Sequence, residues 1–257
     1  MRFRPANLVI KDVVRETSSV STIRFERSLN PTPGQYIMVW VRGVDEIPMS
    51  FSAPDSITVH AVGDATRALC GLKPGDSVGS RGPFGNGFRL TGDKILLIGG
   101  GVGVAPLAFL GEDAKARGFD VTSLIGFRCK DDIIFLDRFR QLGDVILTTD
   151  DGSAGIEGRA SAGLSAIDLR DYNQMYLCGP EMMMIDIIRR CREHASRIQA
   201  SINRYFKCAV GICGSCCLDP EGIRVCVEGP VITGDRLLDS EFGRYRRGPS
   251  GMKESCY

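Results

Sequence analysis

From Leu8 to about Leu90 apolar and polar residues alternate in short runs, "LVIKDVV", "STIRFE", "QYIMVWV", "SITVHAV" and "DSVGS", divided by turns such as "NPTPG" and "KPGD". Period-two alternation bounded by Pro and Gly predicts half-buried strands, and hence a small antiparallel barrel or sandwich. One stretch, "DATRALCGL", predicts a short helical turn instead. From about Lys94 apolar strands ("KILLIG", "DVTSLIGF", "DVILTTD", "QMYLCG") alternate with helix-period segments ("APLAFLGEDAKARG", "DDIIFLDRFRQLG", "PEMMMIDIIRRCREH"), which predicts βα units on a parallel sheet. Pro106 and Pro180 fall where early helix positions are expected, which proline tolerates because the amide there has no partner. From about Ala200 the chain turns glycine- and cysteine-rich and is too short for a core of its own. Something other than apolar burial is expected to hold it. These textures divide the chain at 1–91, 92–200 and 201–257.

With 43% apolar and 25% charged residues in 257, the chain can build a core without disulfides. The N-terminus lacks a signal-like apolar stretch, and "ILLIGGGVGVAPLAFL" falls short of the ~20 residues of a membrane span. A soluble cytoplasmic protein with no membrane contact is expected. A formal net charge of +1, from 32 basic and 31 acidic residues, gives no footprint for nucleic acid. In a reducing compartment the ten cysteines point to metal or redox chemistry rather than to bridges.

Half of them lie in "KCAVGICGSCCLDPEGIRVC". Cys208, Cys213, Cys216 and Cys226 read C-x4-C-x2-C-x9-C, and the first three follow the plant-type spacing of a [2Fe–2S] cluster, whose two irons take two thiolates each. A four-cysteine zinc staple is the rival, although zinc knuckles more often carry paired C-x2-C. Cys217 fits the spacing less well than Cys216. Cys70, Cys129, Cys191 and Cys256 have no neighbours at ligand spacing.

A predicted strand runs straight into Gly99, Gly100, Gly101, Val102 and Gly103 and then a helix, an arrangement that lets backbone amides meet a phosphate. Glycines that merely pack helix on strand give the same pattern. A second strand ends in Cys178, Gly179 and Pro180, so two strand ends can flank one nicotinamide crevice, with Cys178 against the ring. Met182, Met183 and Met184 read as helix core.

The motifs "IPMSFS", "GPFGNGF", "GGGVGVAPL", "TTDDGSAGIEG", "CGPEMM" and the cysteine segment, taken in this order, resemble the ferredoxin–NADP reductase superfamily and, within it, the electron-transfer subunits of dihydroorotate dehydrogenase B. The resemblance implies an N-terminal flavin-binding β-barrel, a Rossmann-like α/β domain for NAD and a small C-terminal [2Fe–2S] domain. It implies FAD against Pro48, Met49, Ser50 and Phe51, with Ser50 near the reactive ring nitrogen, and pyrophosphate contacts from Gly63, Ala65 and Thr66. The family's arginine on the flavin pyrophosphate is replaced by Ile47, and Arg67 is the expected substitute. The implied partner is an FMN-containing catalytic subunit oxidising dihydroorotate, in a heterotetramer of two subunits of each kind. Related chains serve bifurcating ferredoxin–NADP reductases and sulfhydrogenases; in the bifurcating type aspartate is typical where this chain has Cys208. A zinc-stapled, nucleotide-binding module without turnover is the alternative from another class.

Overall fold

The computed structural model describes residues 4–256. Strands β1 (Ala6–Arg15), β2 (Val20–Phe25), β3 (Tyr36–Val41), β4 (Asp45–Ala53), β5 (Ser56–His60) and β6 (Ser77–Phe84) close into a barrel in the order β1-β2-β5-β4-β3-β6. Every neighbouring pair is antiparallel. Closure decides for barrel over sandwich and leaves no open edge. Alternation puts Ile23, Ile37, Val39, Phe51, Ile57 and Val59 inside, each no more than 1% exposed. Strand β3 departs from it, because Tyr36 and Met38 on its other face are equally buried in a core shared with the rest of the molecule. Helix α1 (Asp64–Cys70) spans the "DATRALCGL" turn between β5 and β6.

The second sheet comprises β7 (Lys94–Gly100), β8 (Asp120–Phe127), β9 (Gly143–Thr149), β10 (Ile156–Glu157), β11 (Gln174–Cys178), β12 (Ile198–Ser201) and β15 (Val231–Thr233), in the order β10-β9-β8-β7-β11-β12-β15. All its pairs are parallel except β12 with β15. The strand order reverses between β7 and β11, which makes that gap the switch point at which doubly wound sheets bind ligands. Helices α2 (Val104–Ala116), α3 (Leu136–Leu142) and α4 (Glu181–Arg190) follow β7, β8 and β11. Helix α3 is shorter than "DDIIFLDRFRQLG" predicts, since Phe135 sits at φ +60° and stops the helix from extending backward. Pro106 lies in the first turn of α2, whereas Pro180 is the residue just before α4.

The C-terminal segment corrects one expectation. It holds β13 (Cys217–Leu218), β14 (Ile223–Arg224), α5 (Val225–Glu228), α6 (Gly234–Leu238) and a hairpin of β16 (Tyr245–Arg247) with β17 (Lys253–Ser255). Ile202, Phe206, Leu218, Ile223, Val225 and Leu237 are buried in one core with Leu96, Ile98, Leu177 and Met184 of the sheet. Apolar burial therefore does hold the segment, through a core it borrows, at about 1.5–3 kcal/mol for each fully buried large side chain. Its strand β15 completes the sheet edge. The stretch from Gly248 folds back into the exposed hairpin.

Candidate functional site

The barrel and the sheet face each other across a cleft of about 920 Å³ at the switch point. Strand β4 supplies Ile47, Pro48, Met49 and Ser50; the end of β7 and the turn after it supply Gly100, Gly101 and Gly103; the end of β11 and the two residues after it supply Cys178, Gly179 and Pro180. The parallel register that sets Cys178 beside Gly99 brings the two strand ends together. A side chain at Gly103 would enter the backbone of Gly179, and Gly101 takes φ +52°, so the glycines serve both close packing and the turn that bares the backbone.

Other expected residues fall elsewhere. Gly99 lies within the sheet, and Phe51 points into the barrel core, completely buried. Gly63 and Ala65 do not line the cleft, although Thr66 does, its hydroxyl accepting from the amides of Val62 and Gly63. Arg67, expected on the pyrophosphate, is placed outside the cleft lining: it is exposed, pairs with Asp64 at 2.8 Å and faces a hollow beside Arg15 and Lys73. Among the described residues, the basic side chain that the barrel does bring to the cleft is His60; Arg128 and Arg159 face it from the sheet side, with Asp132 and Asp150. Met182 and Met183, read as core, line the cleft, and only Met184 is buried. Tyr36 and Phe206 also line it, and their rings lie 4.7 Å apart by centroid. The fully buried stripe at Tyr36 and Met38 is a tertiary effect that alternation in the sequence does not carry.

The thiol of Cys178 is neutral. Burial pushes it up to about 12, against a weaker opposing hydrogen bond with Ser201. It is a small apolar wall rather than a nucleophile.

The cysteine loop has the opposite electrostatics. Ala209, Gly211 and Gly214 take φ of +59°, +79° and +75°, turning backbone amides inward. The amides of Val210 and Ile212 each donate to Cys208 Sγ at 3.4 Å, and that of Cys226 donates to Cys216 Sγ at 3.4 Å. Burial raises the Cys208 thiol, yet donors from Val210, Cys213 and Ile212 outweigh it and lower it to about 6. Cys216 is lowered to about 7, chiefly by a hydrogen bond from the Cys226 thiol, and Cys226 is raised by the same bond. The thiols thus group as two pairs, Cys208 with Cys213 and Cys216 with Cys226. Two pairs among amide donors suit a binuclear thiolate-held cluster. Among the described residues no three His, Cys, Asp or Glu side chains converge on one ion-sized point. Cys217 belongs to neither pair, and burial raises its thiol.

Residues 203–238 match the family model described as the iron-sulfur cluster binding domain of dihydroorotate dehydrogenase B. A protein of Methanocella arvoryzae described as a probable dihydroorotate dehydrogenase B (NAD(+)), electron transfer subunit, is 49% identical over 98% of this chain and 99% of its own. The protein of the same description from Methanothermobacter thermautotrophicus is 46% identical over 97% of each chain. Among solved structures, a chain of an NADH-dependent reduced ferredoxin-NADP oxidoreductase, studied for flavin-based electron bifurcation, superimposes with a TM-score of 0.81 at 28% identity over 91% of this chain and 92% of that one. The ferredoxin reductase of carbazole 1,9a-dioxygenase shares the fold, with a TM-score of 0.67 at 22% identity over 77% and 68%. With near-complete coverage at such identity, this chain belongs to the family of dihydroorotate dehydrogenase B electron-transfer subunits.

Proposed function

We propose that the chain carries electrons from an FMN-containing subunit, which oxidises dihydroorotate to orotate, through a [2Fe–2S] cluster and FAD to NAD. The observation that supports this most is continuity: Tyr36 and Phe206 line the cleft, and the Tyr36 hydroxyl donates to the Cys226 carbonyl at 2.9 Å, so cleft and cysteine loop meet at one side chain. The four cysteines Cys208, Cys213, Cys216 and Cys226 are the cluster ligands. Pro48, Met49, Ser50 and Thr66 hold the flavin, with the His60 imidazole facing it from the barrel side, where Ile47 replaces the family's arginine. Gly100, Gly101, Gly103, Gly179 and Pro180 hold the nicotinamide nucleotide, and Cys178 gives its ring a neutral wall. When these groups are bound, the nicotinamide exchanges two electrons as hydride, the flavin divides them, and the cluster carries one at a time. The chain's own part is to align three sites and keep water from between them. Ile212, 84% exposed on the cysteine loop, docks on the catalytic subunit, in a cytoplasmic heterotetramer of two subunits of each kind.

The likeness to the bifurcating reductase favours a second reading, the same three sites serving another complex. The visible spectrum tests both against a zinc-stapled module: the purified chain is yellow-brown and bleaches with NADH. Adding the catalytic subunit then gives dihydroorotate-dependent NAD reduction. A colourless chain, or one that oxidises dihydroorotate alone, overturns the proposal.

A further inference from the structure

Neighbouring strands β3 and β6 of the barrel each send one side chain to a carbonyl of the cysteine loop. From β3, the Tyr36 hydroxyl donates to Cys226 O at 2.9 Å, its ring wedged between Phe84 and Phe206 with centroids 5.9 and 4.7 Å away. From β6, Arg81 Nη1 donates to Cys208 O at 3.3 Å. Arg81 is itself gripped in a fork by Glu46 of β4, Nε to Oε1 at 2.7 Å and Nη2 to Oε2 at 2.6 Å, with both side chains largely sheltered from solvent. The two carbonyls belong to the first and last cysteines, one from each thiol pair. Just beyond β6, Asn86 adds donors to the carbonyls of Val227, Glu228 and Gly229. A side chain at Gly85 would strike Gly229 O, so the approach of barrel to loop depends on that glycine.

We infer that Tyr36 and Arg81 form a two-point clamp by which the barrel positions both halves of the cysteine loop, and that the guanidinium of Arg81 raises the reduction potential of the cluster held there. The inference rests on the four cysteines being the ligands. Tyr36 is suited to its half because its ring is buried and held between two aromatic neighbours, which fixes the hydroxyl on the Cys226 carbonyl. Arg81 is suited to its half because reduction adds one electron, and so one negative charge, to the loop, and a fixed cation in partly desolvated surroundings favours that state. Glu46 orients the cation and offsets part of its effect. Both are positioning residues, since neither donates to a thiol sulfur.

The experiment is a potentiometric titration of the holo chain followed by electron paramagnetic resonance, with iron and flavin content measured on the same samples. Arg81→Gln is expected to lower the cluster's one-electron midpoint by ~59 mV, about tenfold in the equilibrium. Arg81→Lys, which keeps the charge, recovers most of that shift. Glu46→Gln, which removes the offsetting carboxylate, moves the midpoint the opposite way and carries the test if Arg81→Gln fails to fold. Tyr36→Phe changes no charge and leaves the midpoint in place, but it strips the Cys226 carbonyl of its donor and speeds iron loss to a chelator by about tenfold. Midpoints that stay put, or move the same way in Arg81→Gln and Glu46→Gln, overturn the electrostatic half. Wild-type iron retention in Tyr36→Phe overturns the mechanical half. A wild-type chain without a cluster signal would instead refute the ligand set.

Discussion

Cys178 and Cys208 are the same residue in two kinds of surroundings, and the contrast shows how this chain divides its work. Cys178 ends a regular parallel strand whose amides are engaged in the ladder, so apart from a hydrogen bond with Ser201 burial acts on its thiol unopposed and pushes it up to about 12. Cys208 lies in an irregular loop whose left-handed residues release amides to its sulfur, and it falls to about 6 although burial works the other way. Regular strand ends supply shape and a neutral wall, which suits a flat ring that exchanges hydride. The irregular loop supplies negative sulfur, which suits a metal. The same division governs the rest of the site, where β4, β7 and β11 place backbone and the loops bring charge.

The largest effect that sharpens this contrast is loss of the cluster. Cys226→Ser is expected to reduce iron to background while flavin stays in the barrel, and Cys178→Ser is expected to leave iron unchanged. Iron analysis with flavin absorbance checks both. Full iron in Cys226→Ser, with loss in Cys217→Ser instead, would move the fourth ligand to Cys217.

A graded test uses the thiols themselves. In the metal-free chain at neutral pH, iodoacetamide should alkylate Cys208 faster than Cys178 by about a hundredfold, the larger thiolate fraction being partly offset by the lower nucleophilicity of a low-pKa sulfur. Raising the pH should speed Cys178 steadily while Cys208, already deprotonated, changes little. Peptide mapping by mass spectrometry reads both sites in one sample. Equal rates would erase the contrast.

The sequence made legible what depends on local pattern. The barrel strands showed in their alternation, the glycine turn and "CGP" in their glycines, and the cysteine set in its spacing. The unread parts depend on contacts far away in the chain. Strand β4 carries Pro48 and does not alternate cleanly, and the resemblance rather than the pattern pointed to it. Strands β12 and β15, at four and three residues, are too short for a period to show. Met182 and Met183 share the apolar helix pattern of Met184, and only the cleft beside the first turn of α4 separates them. Tyr36 reads as an interior strand residue, and its reach to Cys226, 190 positions away, is visible only once the barrel and the cysteine loop are packed together. Arg67 lies in the right segment, but Asp64, three residues before it, draws its guanidinium outward.

The smallest expected effect lies where strand and loop meet on the nucleotide side. Strand β8 is the second strand counted from the switch point, and residues just beyond such a strand read the ribose 2′ position, an acid favouring a hydroxyl and an arginine a phosphate. This chain has both: Arg128 follows the strand end, and its Nε meets Asp132 Oδ2 at 2.8 Å on the same wall of the cleft. The carboxylate occupies the arginine and, with Asp150 nearby on that wall, is expected to repel a 2′-phosphate, so a preference for NAD over NADP is the expected outcome. Asp132→Asn releases Arg128 without moving the strand. The KM for NADPH should fall by about fivefold, the modest size expected when an exposed ion pair is broken, while kcat for either nucleotide changes little. Steady-state dye reduction with NADH and NADPH measures the ratio. A ratio unmoved in Asp132→Asn, with a shift in Arg159→Ala instead, would assign the discrimination to the wall beyond β9 and show that the strand end sets position there without setting charge.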